Sequence, residues 1–266
     1  MGHVVFKTNF PDAFSLYLIC DSPDKLTFPI MTTLITPQAT AFVESILRLK
    51  PHLAAFDCDG TLWSGDAGEG FFRWEMDRGL VSDETIRWAK SRYQEYQAGK
   101  VSEDDMCADM TTMNAGLDEI TIRKASRKYY EENMAAHVFP EMQQLVQKLH
   151  DEGCEIWAVS STSEWVIREA MKDFGIPANR ILACQVEIAN GRITDRIVRI
   201  PSGEGKAVGI REVVKRQPDV AFGNSRWDTE MLALAKTPFA VNPTADLKKI
   251  ASERAWTVYF PDSIRR

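Results

Sequence analysis

Four apolar residues, Leu53-Ala54-Ala55-Phe56, run straight into Asp57-Cys58-Asp59-Gly60-Thr61-Leu62-Trp63. A run that short, bounded by Pro51 and a glycine turn, reads as a buried strand at the centre of a parallel sheet, which makes the chain an α/β protein. In open sheets of that kind, ligands bind beyond the carboxyl ends of the strands, where the two aspartates stand. The two-residue period sends Asp57 and Asp59 the same way, with Cys58 opposite, and Gly60 permits a tight turn at the next step. One carboxylate can act as a covalent nucleophile while a second shuttles protons to the leaving group. Two so close also make a hard-oxygen site suited to Mg²⁺. An acidic surface turn would show the same Asp-x-Asp-Gly letters, but not the buried strand before them or Thr-Leu-Trp after them.

The string Asp57-Cys58-Asp59-Gly60-Thr61-Leu62 is similar to the first motif of the haloacid dehalogenase (HAD) superfamily of phosphotransferases, and most resembles its phosphoserine-phosphatase-like branch. Matches to the other motifs follow in family order within residues 53–230. Glu155–Val159 reads as a strand ending in Ser160-Ser161-Thr162-Ser163. Hydroxyls there can bind a phosphate oxygen or cap the next helix. Ser160 matches the second-motif position, and residues 161–163 suit capping. Gly203-Glu204-Gly205-Lys206 opens a helix to about Arg216, and Lys206 matches the third-motif lysine. A cation there would offset carboxylate repulsion and bind the transferring phosphoryl group. In the fourth motif, Val220-Ala221-Phe222 is a short strand turned by Gly223, with a helix from Trp227 to Lys236. The family pattern is Gly-Asp-x-x-x-Asp, whose first aspartate is a metal ligand. Asp228 fits the second aspartate, but Asn224 replaces the first. An amide oxygen can ligate Mg²⁺, yet without a formal charge it should hold the ion more weakly.

The resemblance implies a Rossmann-like three-layer α/β core with an inserted α-helical cap. The core would comprise residues 37–64 and 138–266, the cap residues 65–137, and residues 1–36 a poorly defined extension. Thr36-Pro37 opens a helix to about Lys50. Ser82, Ser102 and Asp118 begin helices in the insertion, and Gly79, Gly99 and Gly116 fall where helices should stop. The aromatics Phe71, Phe72, Trp74, Trp88, Tyr93 and Tyr96 read as the core of that helical block. Ala189-Asn190-Gly191 marks a hairpin turn. Two further strands, within 238–243 and 256–260, should form edges around one helix.

The implied activity is Mg²⁺-dependent hydrolysis of a small phosphomonoester through an aspartyl-phosphate on Asp57, with Asp59 as general acid and base. Ser160, Lys206, Thr61 and Gly60 would bind the phosphoryl group, and Asp57, Asp59, Asn224 and Asp228 the metal. In phosphoserine phosphatases an acid shortly after the first motif binds the substrate ammonium. Asp66 takes that place here, with Glu69 one turn on, although acids also suit a first helical turn. Trp63 would suit a quaternary ammonium through a cation–π contact. These residues favour a phosphoserine-like substrate, then phosphocholine-type or other amine-bearing phosphomonoesters. Arg87 and Arg92 are candidates for binding a substrate carboxylate. A non-catalytic phospho-ligand binder is the alternative of a different class, if Asn224 marks a decayed metal site.

Composition narrows the partners. The net charge of −6, with no basic run, argues against nucleic acid, which is bound through clustered Lys and Arg. No apolar run approaches the roughly 20 residues of a membrane span. The apolar stretch 13–20 has few basic residues before it and no small-residue cleavage site after it, which disfavours a signal peptide, and Met31 is an alternative start. Five scattered cysteines with no C-x-x-C suggest free thiols in a reducing, cytoplasmic compartment. The sequence leaves the oligomeric state open.

Overall fold

The computed structural model describes residues 35–264. The expected extension, with its apolar stretch and Met31, lies almost wholly outside them. The sheet has seven strands: β1 (Leu53–Phe56), β2 (Glu155–Ser163), β3 (Ile181–Ala189), β4 (Arg192–Arg199), β5 (Val220–Gly223), β6 (Thr237–Val241) and β7 (Thr257–Tyr259). Their order is β4-β3-β2-β1-β5-β6-β7, with β1 in the middle as its four apolar residues require. Every neighbouring pair is parallel except β3 and β4. Those two form the hairpin, whose turn residues Asn190 and Gly191 both have positive φ, 51° and 76°. All four residues of β1 are buried, and so are all four of β5. Phe56 stacks on Phe222 at 4.2 Å between ring centroids, and Phe222 on Phe239 at 5.1 Å. Such pairs contribute about 0.5–1.5 kcal/mol each beyond the area they bury, and they stiffen the strands that end at the site.

Helices flank the sheet: α1 (Pro37–Leu47), α6 (Pro140–Asp151), α7 (Glu164–Asp173), α8 (Glu204–Gly209), α9 (Thr229–Leu234) and α10 (Ala245–Glu253). Between β1 and α6 lies a block of helices only: α2 (Ala67–Asp77), α3 (Asp83–Gln97), α4 (Glu103–Thr112) and α5 (Glu119–Tyr129), closed by short π- and 3₁₀-helical turns through His137. The expected caps form. Thr36, Ser82, Ser102 and Asp118 each accept a hydrogen bond from the backbone N–H three residues on. Losing one such cap costs about 1 kcal/mol.

The block joins the sheet through two crossing segments. Ser64 N–H donates to His137 O at 3.0 Å, and Phe139 N–H donates to Leu62 O at 2.9 Å. It is also latched to the β3–β4 hairpin: Gly116 N–H bonds Ile193 O at 2.8 Å, Ile193 N–H bonds Leu117 O at 3.0 Å, and Glu119 N–H bonds Gly191 O at 3.0 Å.

Five expectations need correction. β2 does not end at Val159 but continues to Ser163, because Ser163 still pairs with Cys184 of β3 after a bulge. Ser163 precedes α7, yet its side chain makes no capping bond. The helix beginning near Lys206 stops at Val214, where Lys215 turns left-handed at φ 58°. The stretch after Gly223 begins as a 3₁₀ turn, Arg226–Asp228, before α9. Moreover β6 is no edge; it lies between β5 and β7. Among the described residues, no helix is long and apolar enough to cross a membrane.

Candidate active site

β1 runs out at Phe56, and Asp57 continues its line by donating its backbone N–H to Phe222 O of β5 at 2.9 Å. The Asp57 carboxylate is held at both oxygens. Lys206 Nζ lies 2.6 Å from Oδ1, and the Thr61 hydroxyl donates to Oδ2 at 2.7 Å. Lys206 also reaches Asp228 Oδ1 at 2.5 Å. This ammonium is 2 % exposed, so two carboxylates supply the charge that burial takes from water. Burial alone would lower the Lys206 pKa, but Asp228 and Asp57 more than offset it and hold the group up. Burial pushes Asp57 up to about 6, with Asp228 adding to the rise and Lys206 opposing it.

Asp59 faces another set of donors. Trp63 Nε1 and Ala67 N–H donate to Oδ1 at 2.8 and 2.6 Å, and the Thr162 hydroxyl donates to Oδ2 at 2.7 Å. Burial, and then the Asp66 charge, raise its pKa to about 7. An acid poised near neutrality can both give and take a proton. Gly60 leaves room for the Asn224 side chain. Its φ is +71°, and a Cβ there would fall 1.8 Å from Asn224 Nδ2.

A cavity of about 380 Å³ opens between these strand ends and the helical block. Asp57, Asp59, Lys206, Asn224, Asp66 and Glu69 all line it. Asp66 also caps α2, its carboxylate accepting the Glu69 N–H at 2.8 Å, so capping and cavity lining coexist. Glu69 is paired with Arg73 at 2.7 Å. Other expected residues are placed differently. Ser160 is 1 % exposed and does not line the cavity; Ser161, Thr162 and Ser163 do, because the strand carries on past Ser160. Trp63 is 1 % exposed and spends its indole N–H on Asp59, so its ring is not presented to a ligand. Thr61 and Gly60 lie behind Asp57 rather than on the wall. Asp228 is fully buried, and its Oδ2 accepts the backbone N–H groups of Asn224 and Ser225, both at 2.9 Å. It therefore holds Lys206 and the 224–225 loop, with neither oxygen turned to the cavity.

Neither Arg87 nor Arg92 reaches the wall, and Arg92 is paired with Asp109 at 2.6 Å. Of the aromatics read as core of the helical block, Phe71, Phe72, Tyr93 and Tyr96 also line the cavity, while Trp88 is exposed. Several lining residues escaped the sequence reading, among them Met106, Met110 and Glu75, the last buried on the inner face of α2. The available signal was an acid at the period of Ala67 and Phe71, where a helix facing a core should be apolar.

Fold and site together define an α/β enzyme with an acid pair at the end of its central parallel strand and a buried lysine beside it. Residues 54–233 match the family model of the haloacid dehalogenase-like hydrolases, and the chain belongs to that family. It is 29% identical over 218 residues to a histidinol-phosphatase from Neisseria meningitidis, covering 78% of this chain and 97% of that protein. A phosphoserine phosphatase from Mycobacterium tuberculosis is 26% identical over 217 residues, covering 77% of this chain and 69% of that protein. Among solved structures, a Bordetella pertussis protein of unknown function shares the fold at a TM-score of 0.68 and 22% identity, over 78% of this chain and 97% of that one. A substrate-bound phosphoserine phosphatase shares it at 0.55 and 15% identity, over 79% and 92%.

Hydrolases of this family generally use a divalent metal. The described residues contain no cluster of three or more His, Cys, Asp or Glu arranged to hold one. Mg²⁺ needs less than that, since it keeps several waters and takes one or two carboxylates plus a substrate phosphate. Asp57 and Asn224 both face the cavity and carry hard oxygen donors, so the donor set fits such an ion.

Proposed function

We propose that this phosphatase of the HAD-like hydrolase family cleaves a small phosphomonoester whose leaving group carries a positive charge, through an aspartyl-phosphate on Asp57. The observation that carries the substrate reading is the charge of the cavity wall. It holds six carboxyl side chains, and Lys206 is its one cationic residue among those described. Phosphoserine brings a carboxylate as well as an amine, and the wall offers that carboxylate no arginine. Histidinol phosphate, phosphocholine and phosphoethanolamine bring the cation alone. This order departs from the phosphoserine preference of the first-motif resemblance.

In the chemical step, an Asp57 oxygen attacks phosphorus while the bond to the leaving oxygen breaks. Asp59 gives its proton to that oxygen. Water then attacks the same phosphorus, Asp59 takes the water's proton, and the bond to Asp57 breaks to release phosphate. Lys206 faces the transferring oxygens, and the hydroxyls of Ser161 and Ser163 on the wall are further donors. Ser163 Oγ is buried and has no hydrogen-bond partner among the described residues. Asp57, Asn224 and the Asp59 carbonyl would hold Mg²⁺, whose charge offsets that on the phosphoryl group. The helical block, residues 65–137, would serve as the cap that screens the reaction from water.

The test is a hydrolysis panel with Mg²⁺: p-nitrophenyl phosphate, histidinol phosphate, phosphocholine, phosphoethanolamine and phosphoserine. All should be cleaved, with kcat/KM higher for a cationic substrate than for phosphoserine. Phosphoserine as the best substrate would overturn the charge argument, and no cleavage of any compound would overturn the phosphatase reading.

A further inference from the structure

Glu75 belongs to the buried face of α2, with Ala67, Phe71, Phe72 and Met76. The side chain is wholly buried, and neither carboxyl oxygen makes a well-formed hydrogen bond among the described residues; its polar neighbour is the Asn114 side chain. It lines the same cavity as Asp57, Asp59 and Lys206. The other five acids on that wall are all engaged. Lys206 and Thr61 hold Asp57, three donors hold Asp59, and Asp66 caps α2. Glu69 pairs with Arg73, and Glu103 accepts from the Tyr96 hydroxyl. Glu75 alone among them has no charged partner and no well-formed hydrogen bond among the described residues, only the Asn114 side chain near it.

A buried carboxyl with no charged partner costs stability, and folding alone has little use for it, since Leu or Met would fill the position without that cost. Burial pushes the Glu75 pKa up to about 8, with hydrogen bonding to the Asn114 side chain opposing the rise. The surrounding wall is aromatic and thioether: Phe72, Tyr93, Tyr96, Met106 and Met110. The Phe72 and Tyr93 rings lie 5.6 Å apart, and those of Tyr93 and Tyr96 lie 5.9 Å apart. A wall that carries both a carboxyl group and aromatic rings suits a cationic nitrogen group, which gains from both.

We propose that Glu75 determines specificity, its carboxylate receiving the ammonium or imidazolium of the leaving group at the helical end of the cavity. The proposal rests on the cationic-substrate reading above and names the residue that enforces it. Its charged partner arrives with the substrate, and the carboxyl releases its proton to bulk water as that cation seats, so the free protein needs no cation beside it.

The experiment is calorimetric titration of the full chain with L-histidinol, the phosphate-free amino alcohol. Wild type is compared with Glu75→Gln and with Glu75→Met, which removes the unpaired polar group and should fold at least as well. Both variants should bind histidinol roughly 10- to 100-fold more weakly, as expected for loss of a charge-assisted bond. In turnover, the kcat/KM ratio of histidinol phosphate to p-nitrophenyl phosphate should fall by a similar factor, and Glu75→Asp should restore part of it. Equal histidinol affinity in wild type and both variants, or no binding to wild type, overturns the proposal. Binding of the free alcohol needs no turnover, so a failure of the hydrolytic reading would show separately as an absence of cleavage.

Discussion

The Asp59 carboxylate accepts a 2.6 Å hydrogen bond from the backbone N–H of Ala67, the first residue of α2. The candidate general acid and the start of the helical block are thereby held together, and a shift of α2 would disturb the acid. Asp59→Asn can keep its oxygen toward Ala67 and Trp63 and turn its amide toward Thr162, so the fold should survive. It cannot donate and recover a proton as a carboxyl does. Alkyl phosphates should lose on the order of 10²–10⁴ in rate, and aryl phosphates, whose leaving groups need little protonation, far less. Equal losses for both would reduce Asp59 to a structural role.

Glu75 should leave a signature in the pH dependence of stability. Its folded pKa is raised from 4.5 to about 8, so between those values the folded chain keeps a proton that the unfolded chain has released. That contribution is complete below the unfolded pKa and is lost as pH rises through the folded one. Relative to Glu75→Gln, the wild type should therefore lose on the order of a few kcal/mol between about pH 5 and pH 9. Urea unfolding of both proteins across that range measures it, and parallel pH curves would show that the carboxyl is not buried without a charged partner.

Lys206 holds two carboxylates in a dry site. Lys206→Met should abolish turnover and destabilise the protein by about 3–5 kcal/mol, because like charges are left buried together. Lys206→Met combined with Asp228→Asn should regain much of that stability and none of the activity. A single variant as stable as wild type, by denaturant unfolding, would contradict the network.

In the proposed Mg²⁺ site, Asn224 would place a neutral amide where a carboxylate would bind metal more tightly. Asn224→Asp adds charge beside Asp57 and should lower the Mg²⁺ concentration needed for half-maximal activity. Without Mg²⁺ the same variant should melt earlier than wild type, and Mg²⁺ should close the gap. An unchanged or raised Mg²⁺ requirement would remove Asn224 from the metal site.

What the sequence disclosed was local. The all-apolar run 53–56, the capping residues at 36, 82, 102 and 118, and the Asn190-Gly191 turn act within a few residues, and each formed as read. What it hid depends on distant partners. β2 outruns Ser160 because β3 still pairs with Ser163. Trp63 is turned inward by the Asp59 carboxylate. Asp228 is drawn from the cavity by Lys206 and the 224–225 amides. Glu75 passed unnoticed because the aromatic period of α2 dominates its pattern, and one acid within it becomes telling only when its neighbours are known.

The central claim is that Asp57 carries the phosphoryl group. The direct measurement is mass spectrometry of acid-quenched enzyme during turnover of p-nitrophenyl phosphate. The account predicts a phosphoryl adduct on the peptide containing Asp57, absent from Asp57→Asn, which should also be inactive. Turnover by Asp57→Asn at the wild-type rate, or an adduct on another residue, would contradict it.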